Sequence, residues 1–178
     1  MGGPLKYLRE GQALSLYYHA LGCNVPVYVH IDLADDTIGC PGLWWYASTC
    51  RHLGIGGTHP DPAVAEAQKA AMKRYRSLKP FFAEGDFYGA NEEIHFHVLP
   101  ERSDVAINLF NLSDRFRTVS GEISIDALGI DLDRWYDHPR GVRYDHSSRM
   151  LQIARDVPPW SAEVLEMTSY QVSPAAGS

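Results

Sequence analysis

Residues 25–33, Val-Pro-Val-Tyr-Val-His-Ile-Asp-Leu, restrict what this chain can fold into more than any other stretch. At period two, Val27, Val29, Ile31 and Leu33 fall on one face of a strand, and Tyr28, His30 and Asp32 fall on the other. An apolar outer face and a polar inner face are the pattern of a strand in a closed α/β barrel near its carboxyl end, where inward side chains reach a ligand. Helical sequence lies on both sides, so crossover connections call for parallel neighbours. The chain supplies few of them. Only Leu53-Gly54-Ile55-Gly56-Gly57 reads as a second, short parallel strand, its glycines allowing close packing.

The helical sequence falls into three segments. Leu5, Leu8, Leu14, Leu16, Tyr17, Tyr18 and Leu21 suit a packed helix over residues 5–21, weakened by Gly11. Pro41 and Gly42 introduce a helix over 43–53, and Asp61 with Pro62 opens a third that ends near Lys79-Pro80. From Glu93 the period changes to two, with strands expected at 93–99, 105–112 and 116–125 and weaker ones at 150–157 and 163–167. Residues 131–148 are polar and turn-rich, and 169–178 read as a disordered tail. The expected fold class is an α+β chain in two parts. Residues 1–84 are expected to form the C-terminal quarter of an α/β (TIM) barrel, and residues 85–168 an antiparallel β-sandwich.

Charge and composition narrow the partners. Among 178 residues, 22 acidic against 16 basic side chains give a net charge of -6, which argues against a nonspecific polyanion binder and so against nucleic acid. No apolar run approaches the ~20 residues of a membrane-spanning helix, and the first 25 residues show no signal-peptide pattern, so no membrane partner is expected. Cys23, Cys40 and Cys50 are an odd set without paired zinc-like spacing. They read as reduced packing residues, which leans toward the cytoplasm and leaves the compartment open.

Three stretches carry a resemblance. They are Leu43-Trp44-Trp45-Tyr46-Ala47-Ser48-Thr49-Cys50-Arg51-His52-Leu53-Gly54-Ile55-Gly56-Gly57, the later Ala71-Met72-Lys73-Arg74-Tyr75-Arg76-Ser77-Leu78-Lys79, and Phe110-Asn111-Leu112-Ser113. With the order of elements, they resemble the final part of a glycoside hydrolase of the α-galactosidase (melibiase-like) kind, over most of residues 4–168. The resemblance implies a sugar-processing parent protein whose nucleophile and acid carboxylates lie on earlier strands that this chain does not contain. It therefore implies a carbohydrate substrate in the complete protein, no cofactor, and an isolated chain without complete catalysis. The missing amino-terminal portion, or self-association, is expected to cover the open strand edge.

The residues themselves suggest where a sugar would be met. His30 could orient a hydroxyl, Asp32, Asp35 and Asp36 could supply carboxylates, and Trp44 could offer an apolar face for stacking. The bland alternatives are a solvated acidic turn for the aspartates and a core position for Trp44 and Trp45. His52 and His59 flank the glycine segment and read as structural. Gly54-x-Gly56-Gly57 does not open a helix and lacks a following lysine, and no Gly-x-Ser-x-Gly elbow is present. A different chemistry is suggested by Gly89, His95, His97 and Glu101, which form Gly-x5-His-x-His-x3-Glu, the first half of a cupin metal motif. Under that alternative His95, His97 and Glu101 hold a divalent metal, although the motif's second half is echoed only at Pro139-Arg140-Gly141 and His146, with the wrong spacing. A further alternative is a noncatalytic β module for carbohydrate or protein interaction.

Overall fold

The structure is a computed structural model that describes residues 3–99, 101–130 and 138–168. Gly11 produces the first departure from expectation. Its φ of +73° is left-handed, and the helix expected over 5–21 divides into α1 (Pro4–Arg9) and α2 (Leu14–Cys23). β1 (Val27–Asp32), a 3₁₀ turn at Leu33–Asp35, α3 (Pro41–Cys50) and β2 (Arg51–Gly56) follow. Arg51, at φ +69°, turns the chain from α3 directly into β2. Its buried guanidinium holds that turn by donating to the carbonyls of Asn24, Phe82 and Gly85 and to Asn24 Oδ1.

Asp61 caps α4 (Pro62–Glu84) by accepting from the Ala63 N–H at 2.8 Å. The helix does not stop at Pro80. Proline inside a helix costs ~3 kcal/mol, but Leu78, Phe81 and Phe82 are buried around it, each contributing about 1.5–3 kcal/mol. The last turn therefore persists to Glu84.

β1 and β2 pair in parallel, Val27 opposite Arg51 through Asp32 opposite Gly56. The expected barrel quarter does not form. Among the described residues this pair is a two-stranded sheet, and the paired strands of the other two sheets are antiparallel. The two faces of β1 are those read from the sequence, but their surroundings differ. Val29 and Ile31 pack on the helical core, whereas Tyr28, His30 and Asp32 are exposed. Helices on one side and water on the other satisfy the alternation without a barrel.

The remaining strands are β3 (Asp86–Asn91), β4 (Ile94–Leu99), β5 (Asp104–Asn111), β6 (Arg117–Ser124), β7 (Val142–Asp145), β8 (Met150–Val157) and β9 (Ser161–Met167), with α5 (Ile125–Leu128) after β6. They form a four-stranded sheet, β3-β4-β5-β9, and a three-stranded sheet, β6-β8-β7. β3 and β7 were not expected from the sequence. Phe96, Val98, Ile107 and Leu109 of the first sheet pack with Val119, Leu151 and Ile153 of the second. The opposite face of β4 and β5 carries His95, His97, Ala106 and Phe110, with α3 and α4 packed against this sheet. Every residue of β4, β5 and α3 is consequently buried. The described residues form an α+β arrangement of three sheets and five helices, and one core cluster runs from Leu5 to Val164 across position 84. The tail over 169–178 and residues 131–137 of the polar segment lie outside the described residues.

Candidate functional site

A cleft of about 560 Å³ follows one edge of β1 and is bordered by α1 and the 3₁₀ turn. Residues 29–32, from both faces of the strand, line it together with Tyr7, Asp35 and Tyr46. Next to it, Tyr28, His30 and Asp32 lie across Gly54 and Gly56 of β2 and Gly57 just after it. A Cβ added at Gly54 would sit 2.3 Å from Tyr28 Oη, and one at Gly57 would sit 2.1 Å from Asp32 Oδ1. The glycine run thus leaves room for these side chains, and Gly57 also needs its left-handed φ of +75°. The Tyr28 and His52 rings meet at 5.4 Å at the other end of this exposed face.

The five sequence-predicted residues separate into two groups. His30, Asp32 and Asp35 share the cleft. Asp32 Oδ1 accepts from the Ala34 N–H at 3.0 Å and caps the 3₁₀ turn. Asp35 is more committed, since its two oxygens accept from the Leu5 and Lys6 N–H groups at 3.3 and 2.9 Å and fix the start of α1. Asp36 is buried and accepts from Thr37, Gly42 and Leu43, each at 3.0 Å, so it serves the orphan donors that begin α3. Burial raises its pKa, and the three amide donors oppose that shift. Trp44 is only 5% exposed and packs near Phe82, leaving no open ring face for a sugar.

His95 and His97 do share a face of β4, but they converge on a hydroxyl. Ser48 Oγ lies 2.8 Å from His95 Nδ1 and 2.9 Å from His97 Nε2. The geometry assigns the protons. His95 Nε2 is 3.1 Å from the Glu92 carbonyl, which can only accept, so Nε2 carries the hydrogen and Nδ1 accepts from Ser48. Ser48 must then accept from His97 Nε2–H, which leaves His97 Nδ1 as a buried lone pair without a partner among the described residues. Burial pushes the His95 pKa down to about 3 and lowers that of His97 well below the usual range. Tyr17 stacks on His95 at 4.9 Å, and Trp45, Phe87 and Phe110 enclose it. Glu101 is exposed in the turn after β4, away from this enclosure. Among the described residues, no three His, Cys, Asp or Glu side chains are grouped to hold a metal.

Sequence reasoning missed Ser48. The available signal was a hydroxyl residue in a mostly apolar helix, together with a strand carrying two alternating histidines. The buried thiols are unsuited to nucleophilic work, since burial raises the pKa of Cys40 to about 12 and that of Cys50 to about 11. Comparison with protein-family models, with curated proteins and with solved structures finds no match to this chain.

Proposed function

We propose that this chain is the sugar-recognising part of an α-galactosidase-like glycoside hydrolase, and that it meets carbohydrate in the cleft along β1. The observation that carries this reading is the meeting of His30, Asp32 and Asp35 with Tyr7 in one cleft. An imidazole and a carboxylate can exchange hydrogen bonds with sugar hydroxyls, and a tyrosine ring covers the apolar C–H surface. The volume lies within the range of small-molecule sites.

The same geometry favours binding over cleavage. Glycoside hydrolysis uses two carboxyl groups, one delivering a proton and one acting as nucleophile or base. Both oxygens of Asp35 are occupied by the amides of α1, and those of Asp36 by the amides around the start of α3, so that among the described residues Asp32 keeps one uncommitted oxygen. The isolated chain is therefore expected to bind α-galactosides without turning over aryl glycosides. Isothermal titration with methyl α-galactoside should show saturable binding that Asp32→Asn weakens about tenfold, the equivalent of one lost charged hydrogen bond. Unaltered binding in Asp32→Asn with His30→Ala would refute the assignment of the cleft. Turnover well above buffer that Asp32→Asn abolishes would establish a local catalytic site instead.

A further inference from the structure

At the carboxyl end of α1 a second cleft, of about 340 Å³, lies between Arg9, the β3–β4 turn and the β8–β9 turn. Trp160 stands on its wall with φ +43°, a left-handed conformation that a bulky side chain rarely adopts. Two bonds hold it there. Its N–H donates to the Ser113 carbonyl at 3.1 Å, and its own carbonyl accepts from Thr37 Oγ1 at 3.0 Å. Unusual backbone held from both sides is a feature that clusters at ligand sites. The Arg9 guanidinium lies 5.0 Å from the centre of the Trp160 ring, and no carboxylate among the described residues closes on it.

Glu92 and Glu93 border the same cleft and are already oriented. Glu92 Oε1 accepts from the Tyr18 hydroxyl, while Glu93 Oε1 accepts from Arg117 and from the Leu112 N–H at 3.1 Å. Among the described residues, neither carboxylate has a partner on its second oxygen. Two cations, Arg9 and Arg117, stand against two anions, so neither a free anion nor a free cation is favoured. A neutral ligand rich in hydroxyls suits this balance, because its hydroxyls can donate to carboxylate oxygens and accept from a guanidinium. Trp160, Leu8 and Leu112 supply the apolar wall that the C–H surface of such a ligand needs.

We infer that this cleft is a second carbohydrate site, which takes a neutral sugar residue beside the stacked Arg9–Trp160 pair and facing the Glu92 and Glu93 side chains. Recognition combines ring contact at Trp160 with hydroxyl bonds to the three charged groups. The site shares no lining residue with the cleft along β1.

The test follows the Trp160 indole N–H in the assigned ¹H–¹⁵N spectrum of the full chain. Galactose, glucose and mannose are each added to about 50 mM, above the Kd on the order of 1–10 mM expected for one partly open site. At least one sugar should shift the signal saturably. Arg9→Ala and Glu92→Gln, both at positions outside the buried core, should each weaken that response about tenfold while leaving the rest of the spectrum in place. Asp32→Asn should leave it unchanged, which separates this cleft from the one along β1. No shift with any of the three sugars overturns the proposal. A shift that survives both Arg9→Ala and Glu92→Gln, or one that Asp32→Asn removes, also overturns it.

Discussion

Ser48 joins the helical layer to the four-stranded sheet through two imidazoles, and both imidazoles are fully enclosed. Replacing Ser48 with alanine strands one buried donor and one buried acceptor, so the variant should lose about 2–4 kcal/mol. A lower midpoint in urea unfolding at an unchanged slope would show it, and an unaltered midpoint would contradict the proton assignment. Acid should act on the same residues. Unfolded His95 takes up a proton near its ordinary value of 6.5, whereas the folded chain refuses it until about pH 3. The stabilisation is complete above about pH 6.5 and is lost as pH falls from there toward 3, because in that window the unfolded state binds more protons. From His95 alone the loss is on the order of 2 kcal/mol by about pH 5. Urea unfolding of the wild type at pH 7 and pH 5 should reveal this drop, and His95→Asn should show a smaller one. Equal pH dependence in the two proteins would exclude His95 as the cause.

Among the elements, α3 is the one most dependent on a distant side chain. Its N-cap position is Cys40, at φ +46° and without a side-chain capping bond, so Asp36 supplies the acceptors for Gly42 and Leu43 instead. Asp36→Ala should cost about 2–3 kcal/mol, since two helix donors are left buried and unpaired. Asp36→Asn keeps one oxygen acceptor and should recover part of that loss. Thermal unfolding of the two variants gives the order, and equal midpoints would mean the capping bonds contribute little. Sequence reasoning placed Asp36 in a solvated or substrate-facing turn because its acidic neighbours, Asp32 and Asp35, resemble it in every local respect. What differs is that Asp36 lies beneath α3. The passage of α4 through Pro80 has the same origin, since the burial of Leu78, Phe81 and Phe82 outweighs the local cost of proline.

At the scale of the whole molecule, α3 couples everything else. Its residues meet β2 along the chain, α2 and α4 beside it, and β5 and β9 across the layer. Removing residues 85–168 would expose a helix that is buried along its entire length, and removing residues 1–84 would expose His95, Phe110 and their neighbours on the four-stranded sheet. The chain should therefore unfold in a single cooperative transition, with far-ultraviolet circular dichroism and tryptophan fluorescence giving coincident curves. Two separated transitions, or a protease-resistant core confined to residues 85–168, would show that the boundary near residue 84 divides independent units.

Local pattern alone determined that β1 has one apolar and one polar face, that the glycines of β2 permit close approach, and that β4, β5 and β8 are strands. Periodicity is set by backbone geometry, so it survives whatever surrounds the element. It does not say what lies opposite each face. Tertiary structure decided that Tyr28, His30 and Asp32 meet water rather than a barrel interior, that His95 and His97 meet Ser48, and that Asp36 and Trp44 are enclosed. It also brought Thr37 to the Trp160 backbone across 123 positions of sequence. Such neighbours are chosen by burial of the whole apolar surface at once, a collective condition that no single segment carries.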